Sequence, residues 1–210
     1  MKLGDTFLKD YKADGSSGGE WSLDADKHPW GPFNNGAATY IMKTFGPNSI
    51  LEFGCGAGQY CSFFSDHGAS VVHGIEPNPM GSTWFNQEMG CKQLCFDVSK
   101  GESHPKLLTK YDLLVTIEVM EHVALDRHGV VFDFFKSVSP RHIVFSGARV
   151  GQEGHGHIAC RPEEEWREEV VKRGFKFDPK RTLELRATSN KTNPNHCMNL
   201  QVFNGPRSVS

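Results

Sequence analysis

The sequence predicts an α/β fold, a doubly wound and mostly parallel seven-stranded sheet with an antiparallel C-terminal hairpin. Three observations predict it. Short apolar runs alternate with segments of helical spacing from residue 36 onward. The first of these runs ends in a glycine-rich loop that opens a helix. The last two extended runs are separated by too little chain for a crossover helix, so they are expected to pair as a hairpin.

Taken in order, residues 36–45 have helical spacing, with Asn35 as the expected N-cap. Residues 49–53 (SILEF) read as a buried strand. Residues 59–67 read as a helix that turns Tyr60, Phe63 and Phe64 inward. A second strand is expected at 70–75, then a Pro-initiated helix at Pro79–Met89 and a third strand at Lys92–Phe96. Asp112–Ile117 is a continuous apolar run of the kind central parallel strands show. A helix at 128–138, a fifth strand at His142–Ser146 and a polar amphipathic helix at 163–173, closed by Gly174, follow. Residues 181–187 and 197–203, joined by the turn-rich SNKTNPNH, are the expected hairpin.

The first 35 residues differ from the rest. They are rich in Gly, Asp and Ser, yet carry Phe7, Tyr11, Trp21, Trp30 and Phe33. They read as an arm packed on the domain at 36–210, or as a lid over its active site. Trp21, Trp30 and Phe33 suit a cage around a cation, a cover for an apolar ring, or plain core.

Composition narrows the function. With 38% hydrophobic and 23% charged residues, the chain has the balance of a soluble domain. No apolar run approaches the ~20 residues of a membrane span, and the N-terminus lacks a secretory h-region, so a cytoplasmic protein is expected. The net charge of -2 and the absence of a basic stripe disfavour nucleic acid as a partner. The acidic run Glu163–Glu165 fits a solvated helix face. Six cysteines form no CxxC pair, and buried free thiols are the expected state.

The residues with chemistry begin at the glycine loop, LEFGCGAGQY. A dinucleotide fingerprint fails here, because counting from Gly54 and Gly56 places Gln59 where the third glycine belongs. What stands instead is E-x-G-x-G-x-G: Glu52, Gly54, Gly56 and Gly58. Glu76 ends the second strand and is spaced to meet ribose hydroxyls. Asp97, followed by Val98, ends the third.

These strand ends resemble the class I S-adenosylmethionine-dependent methyltransferases, whose Rossmann-like fold matches the element order. The resemblance spans roughly residues 36–203. It implies S-adenosylmethionine as cofactor, leaving S-adenosylhomocysteine. It also implies that Asp97 meets the adenine amino group and the Val98 amide meets the ring. Glu52 is badly placed for a phosphate but suits a ligand with a sulfonium and an ammonium.

The fourth strand leads into EVMEHV, which resembles methyltransferases with an E-x-x-E-H motif, among them enzymes acting on ubiquinone precursors and on the 2′-oxygen of small RNAs. Glu118 is assigned to the cofactor. Glu121, His122 and, from the glycine-spaced loop GQEGHGHIAC, His157 are assigned to catalysis; His155 lies on the same loop. Most of the catalysis of an in-line methyl transfer can come from holding the nucleophile opposite sulfur, and a neutral nucleophile must also lose a proton. His122 is the best candidate base because a histidine's pKa can lie near working pH. The same four residues could instead hold a divalent metal, as the resemblance to the small-RNA enzymes implies; otherwise the site needs none. The remaining histidines, His67, His73, His104, His128 and His142, have no motif context and read as surface or packing residues.

The sequence is therefore expected to encode a methyltransferase acting on an O, N or S atom of a small-molecule acceptor. A metal-dependent RNA 2′-O-methyltransferase and a non-catalytic S-adenosylmethionine-binding module remain alternatives.

Overall fold

Strand β1 (Ser49–Phe53) sits near the middle of the sheet because its side chains are apolar in both directions. Ile50 packs with one face, while Leu51 and Phe53 pack with the other. The computed structural model describes residues 33–56, 58–77, 92–154, 156–189 and 194–206. The helix expected at Pro79–Met89 and nearly all of the N-terminal arm lie outside these residues.

Around β1 the sheet runs β3-β2-β1-β4-β5-β7-β6. Here β2 is Val71–Ile75, β3 Lys92–Leu94, β4 Leu113–Ile117, β5 His142–Ser146, β6 Lys176–Phe177 and β7 Gln201–Asn204. The first five strands are parallel, and β7 runs antiparallel to both β5 and β6. The order reverses between β1 and β4, which opens a crevice at the carboxyl ends of those strands.

Helices cover both faces, as the pattern requires. Helices α1 (Asn35–Phe45), α2 (Gln59–Asp66) and α5 (Pro179–Thr188) cover one face through Ala37, Ala38, Ile41, Tyr60, Cys61, Phe64 and Leu185. Helices α3 (His128–Ser137) and α4 (Glu163–Lys172) cover the other through Val131, Phe132, Phe135, Trp166 and Val170. Among the described residues no helix is long and apolar enough to cross a membrane.

Several expected elements move. Residues 181–187 are not a strand: they belong to α5. The alternation Leu183-Glu184-Leu185 mimics a strand, but Leu185 is fully buried while Leu183 is 67% exposed. The deciding signal is Asp178-Pro179: the Asp178 side chain caps the helix by accepting from the Arg181 N–H, and Pro179 occupies its first turn. The antiparallel partner of β7 is therefore the two-residue β6, in register Lys176 with Asn204 and Phe177 with Phe203. Between them lie α5 and the short helix α6 (Pro194–Asn199), which takes the start of the expected 197–203 strand.

Smaller corrections follow. The cap of α1 is Asn34, which accepts from the Ala37 N–H, rather than Asn35. Phe63 is only half-buried. Cys55, Cys61 and Cys197 are buried, whereas Cys95 is exposed and Cys160 partly so. His73 and His128 are packing residues: His73 bonds the Tyr111 hydroxyl, and His128 Nε2 bonds the carbonyls of Met120 and Val123.

Candidate active site at the carboxyl edge

The glycine loop leaves β1 and is tied at once to β2, because the N–H groups of Gly54 and Cys55 both donate to the Ile75 carbonyl at 2.8 and 3.0 Å. Gly54, Gly56 and Gly58 all have positive φ. At Gly54 two constraints coincide: φ is +73°, and a Cβ would stand 2.5 Å from the methyl carbons of Val119. The loop therefore presses against the segment that follows β4.

Three carboxylates line the ends of β1, β2 and β3, and all three are buried. Glu76 accepts from the Gly56 N–H at 3.1 Å, so the loop backbone itself orients it. Asp97 caps a 3-10 turn (Val98–Lys100) by accepting from the Ser99 N–H and hydroxyl at 2.9 and 2.6 Å. Its second oxygen has no hydrogen bond, and the Lys100 ammonium approaches no nearer than 3.6 Å. Val98, the first residue of that turn, is buried. Burial pushes the Glu52 carboxyl from 4.5 up to about 8, with the Glu76 charge adding to the effect. Glu52 Oε2 has no hydrogen-bond partner. Carboxylates this deep, with polar atoms unanswered, fit a ligand rich in hydroxyls and positive charge and repel a phosphate.

The second half of the site follows β4. Glu118 stands at φ +53°, a strained value for a residue with a side chain. Two bonds from its N–H to Ser146, one to the hydroxyl and one to the carbonyl, hold it there. Its carboxylate points to two carboxamides, accepting from Gln152 at 2.6 Å and from Asn199 at 3.1 Å. Glu121 and His122 occupy the next 3-10 turn (Met120–His122). The loop after β5 is stitched to that turn by the N–H groups of Ile158 and Ala159, both donating to the Glu121 carbonyl at 3.0 Å.

This stitching brings His157 against His122, with ring centroids 5.0 Å apart and edge to face. His157 Nε2 lies 3.8 Å from Glu121 Oε1. The ligand-capable atoms of Glu121, His122 and His157 all fall within 4.8 Å of one another; Glu118 is not part of that group. Each imidazole also faces a carbonyl through Nδ1: His122 faces Gly156 at 3.0 Å and His157 faces Gln152 at 3.1 Å. A carbonyl can only accept, so Nδ1 donates, and the neutral ring carries its lone pair on Nε2. Glu121 is fully buried, neither of its oxygens has a hydrogen-bond partner, and burial beside Glu118 raises its pKa. Gly154 makes room for this arrangement: a Cβ there would lie 2.2 Å from His157 Nε2. His155 lies outside the described residues.

A family model described as a methyltransferase domain matches residues 33–184. The chain belongs to that family. It is a class I S-adenosylmethionine-dependent methyltransferase. No curated protein matches it significantly. Among solved structures it resembles a TehB-like SAM-dependent methyltransferase from Corynebacterium glutamicum, at 17% identity and a TM-score of 0.58, over 81% of this chain and 87% of that one. It resembles the N-methyltransferase NodS from Bradyrhizobium japonicum at 18% and 0.58, over 81% and 93%. It also resembles the methyltransferase domain of bacterial CtHen1 at 13% and 0.59, over 83% and 96%. These likenesses carry the fold; the family match carries the cofactor, S-adenosylmethionine, and the product, S-adenosylhomocysteine.

The methyltransferase fold thus brings together Glu52, Glu76 and Asp97 on one side and Glu121, His122 and His157 on the other. Glu118 lies beside Glu121, with its carboxylate engaged by Gln152 and Asn199. Sequence reasoning missed Gln152, Asn199 and the steric role of Gly154. Only Gly154 left a trace, as one of the glycines spaced through the histidine loop.

Proposed function

We propose that this methyltransferase transfers a methyl group to an O, N or S atom of a small-molecule acceptor. His122 and His157 are its bases, and Glu121 holds the charge that forms on them. The observation that carries this reading is the pair of imidazoles, each with Nδ1 on a carbonyl and hence with the lone pair of its neutral form on Nε2, beside a buried carboxyl group. When bound, S-adenosylmethionine supplies an electrophilic methyl on a sulfonium. The chain's own part is to hold the cofactor and align and deprotonate the acceptor. Glu76 is the residue for the ribose hydroxyls, Asp97 with Val98 for the adenine, and Glu52 with Glu118 for the cationic end. Gly54, Gly56 and Gly58 admit the cofactor against the backbone.

The small acceptor is supported by the net charge of -2 and by exposed Val150 and Ile158 on the loop that carries His157. Phe33 packs on Tyr60 at 4.9 Å and the Asn34 N–H bonds the Tyr60 hydroxyl, which fixes the start of α1 on the helix that follows the glycine loop.

A second reading has its own observation. A buried carboxylate with both oxygens unanswered, beside two imidazoles of fixed tautomer, is a donor set suited to a divalent cation. Glu121, His122 and His157 would hold it, and it would lower the pKa of an acceptor hydroxyl.

The test is a methyl-labelled cofactor offered against pooled small metabolites and against small RNAs, with and without chelator. Label in a small product, kept in chelator, is expected. Loss of that label in chelator favours the metal. Label in RNA in preference to metabolites overturns the small-acceptor reading, and no label anywhere leaves a binding module.

A further inference from the structure

Three side chains from distant parts of the chain close a hydrogen-bonded triangle under the acceptor half of the site. The Gln152 carboxamide donates to Glu118 Oε2 at 2.6 Å. The Asn199 carboxamide nitrogen donates to Glu118 Oε1 at 3.1 Å and to Gln152 Oε1 at 2.8 Å. The directions are fixed by chemistry. A carboxylate offers only acceptors, so both carboxamides turn their nitrogens toward it, and Asn199 spends both of its N–H bonds within the triangle.

Asn199 is 2% exposed, so the bonds it makes are not shared with bulk water. It ends α6, which the Asn34 carboxamide also reaches through Cys197 Sγ at 3.7 Å. Gln152 has a second job. Its backbone carbonyl is the acceptor for His157 Nδ1 at 3.1 Å. One residue therefore receives Asn199 on its side chain and sets the His157 tautomer with its main chain.

We propose that Asn199 is a positioning residue for His157, acting through Gln152. By pinning the Gln152 side chain to Glu118, it holds the Gln152 carbonyl where it keeps the proton on His157 Nδ1 and the lone pair on Nε2. This inference rests on the reading that His157 works from Nε2, but its test does not depend on turnover. His122 is an internal control, because its own Nδ1 is held by Gly156 and not by Gln152.

The tautomers are read by nitrogen NMR of histidine-labelled full-length protein loaded with S-adenosylhomocysteine. The two rings are assigned from the signals lost in His122→Gln and His157→Gln. Wild type should show both rings as the Nδ1–H form. Asn199→Asp keeps the shape but removes both donors and sets a carboxylate against Glu118. It should turn His157 into a mixture of tautomers while His122 stays unchanged. If Asn199→Asp does not fold, Gln152→Glu attacks the same triangle from the other side, with the same expectation. An unchanged His157 in the folded variant overturns the proposal. So does an equal disturbance of both rings together with lost cofactor affinity, which would mark a general collapse. Loss of activity in His157→Ala belongs to the functional reading and leaves this outcome independent.

Discussion

The two halves of the site are built in different ways. In the half proposed for the cofactor, the main chain does the positioning: the Gly56 N–H orients Glu76, and the Ser99 N–H orients Asp97. In the half proposed for the acceptor, a long loop and a web of side chains do it: His157 depends on Gln152, on the Glu121 carbonyl that captures Ile158 and Ala159, and on the empty side of Gly154. Backbone positioning follows from strand ends, which parallel pairing holds in register. Side-chain positioning has to be assembled from segments far apart.

The sharpest break in the comparison is to remove one imidazole. His122→Ala or His157→Ala should lower turnover by about 10²–10⁴-fold, the usual worth of a positioned base. Calorimetric affinity for S-adenosylmethionine should hold; an equal loss of affinity would merge the two halves. Gly154→Ala comes next. Its Cβ must displace the His157 ring, and a shift of about 1 Å costs roughly 10²-fold in rate. Steady-state kinetics should show that fall in kcat with cofactor binding intact.

Glu76→Gln should do the reverse. It weakens charged hydrogen bonds worth ~1.5–3 kcal/mol. Titration should then show cofactor affinity down by roughly ten- to a hundredfold, while the His122 and His157 signals stay in place.

The smallest effect is on pH dependence. Burial raises the Glu52 pKa from 4.5 to about 8, so the folded state binds this proton more tightly than the unfolded chain. Its contribution to stability is full below about 4.5 and is lost as pH rises through about 8. The melting temperature of the cofactor-free protein should therefore drift down across that window. Glu52→Gln should flatten the drift. A slope unchanged in that variant would remove Glu52 as its source.

The same contrast explains what the sequence could reveal. The placement of Glu52, Gly54, Glu76 and Asp97 was legible because each stands at or just past a strand end, at a spacing set by one βα unit. The meeting of His122 with His157 was legible from the motif after β4 and from the glycine-spaced loop after β5. Gln152 and Asn199 were not legible, because their roles arise from contacts 34 and 81 residues along the chain from Glu118. The sheet was readable through β5 from apolar runs. The tail was misread where the two-residue β6 is too short to leave a pattern and where Leu183 imitates an inward residue although it faces solvent.

The most direct test of the two-part site is one calorimetric series with S-adenosylmethionine on wild type, Glu76→Gln and His157→Ala. Wild type should bind, Glu76→Gln should bind more weakly, and His157→Ala should bind as wild type does. No binding to wild type, or equal losses in both variants, would contradict the two-part site.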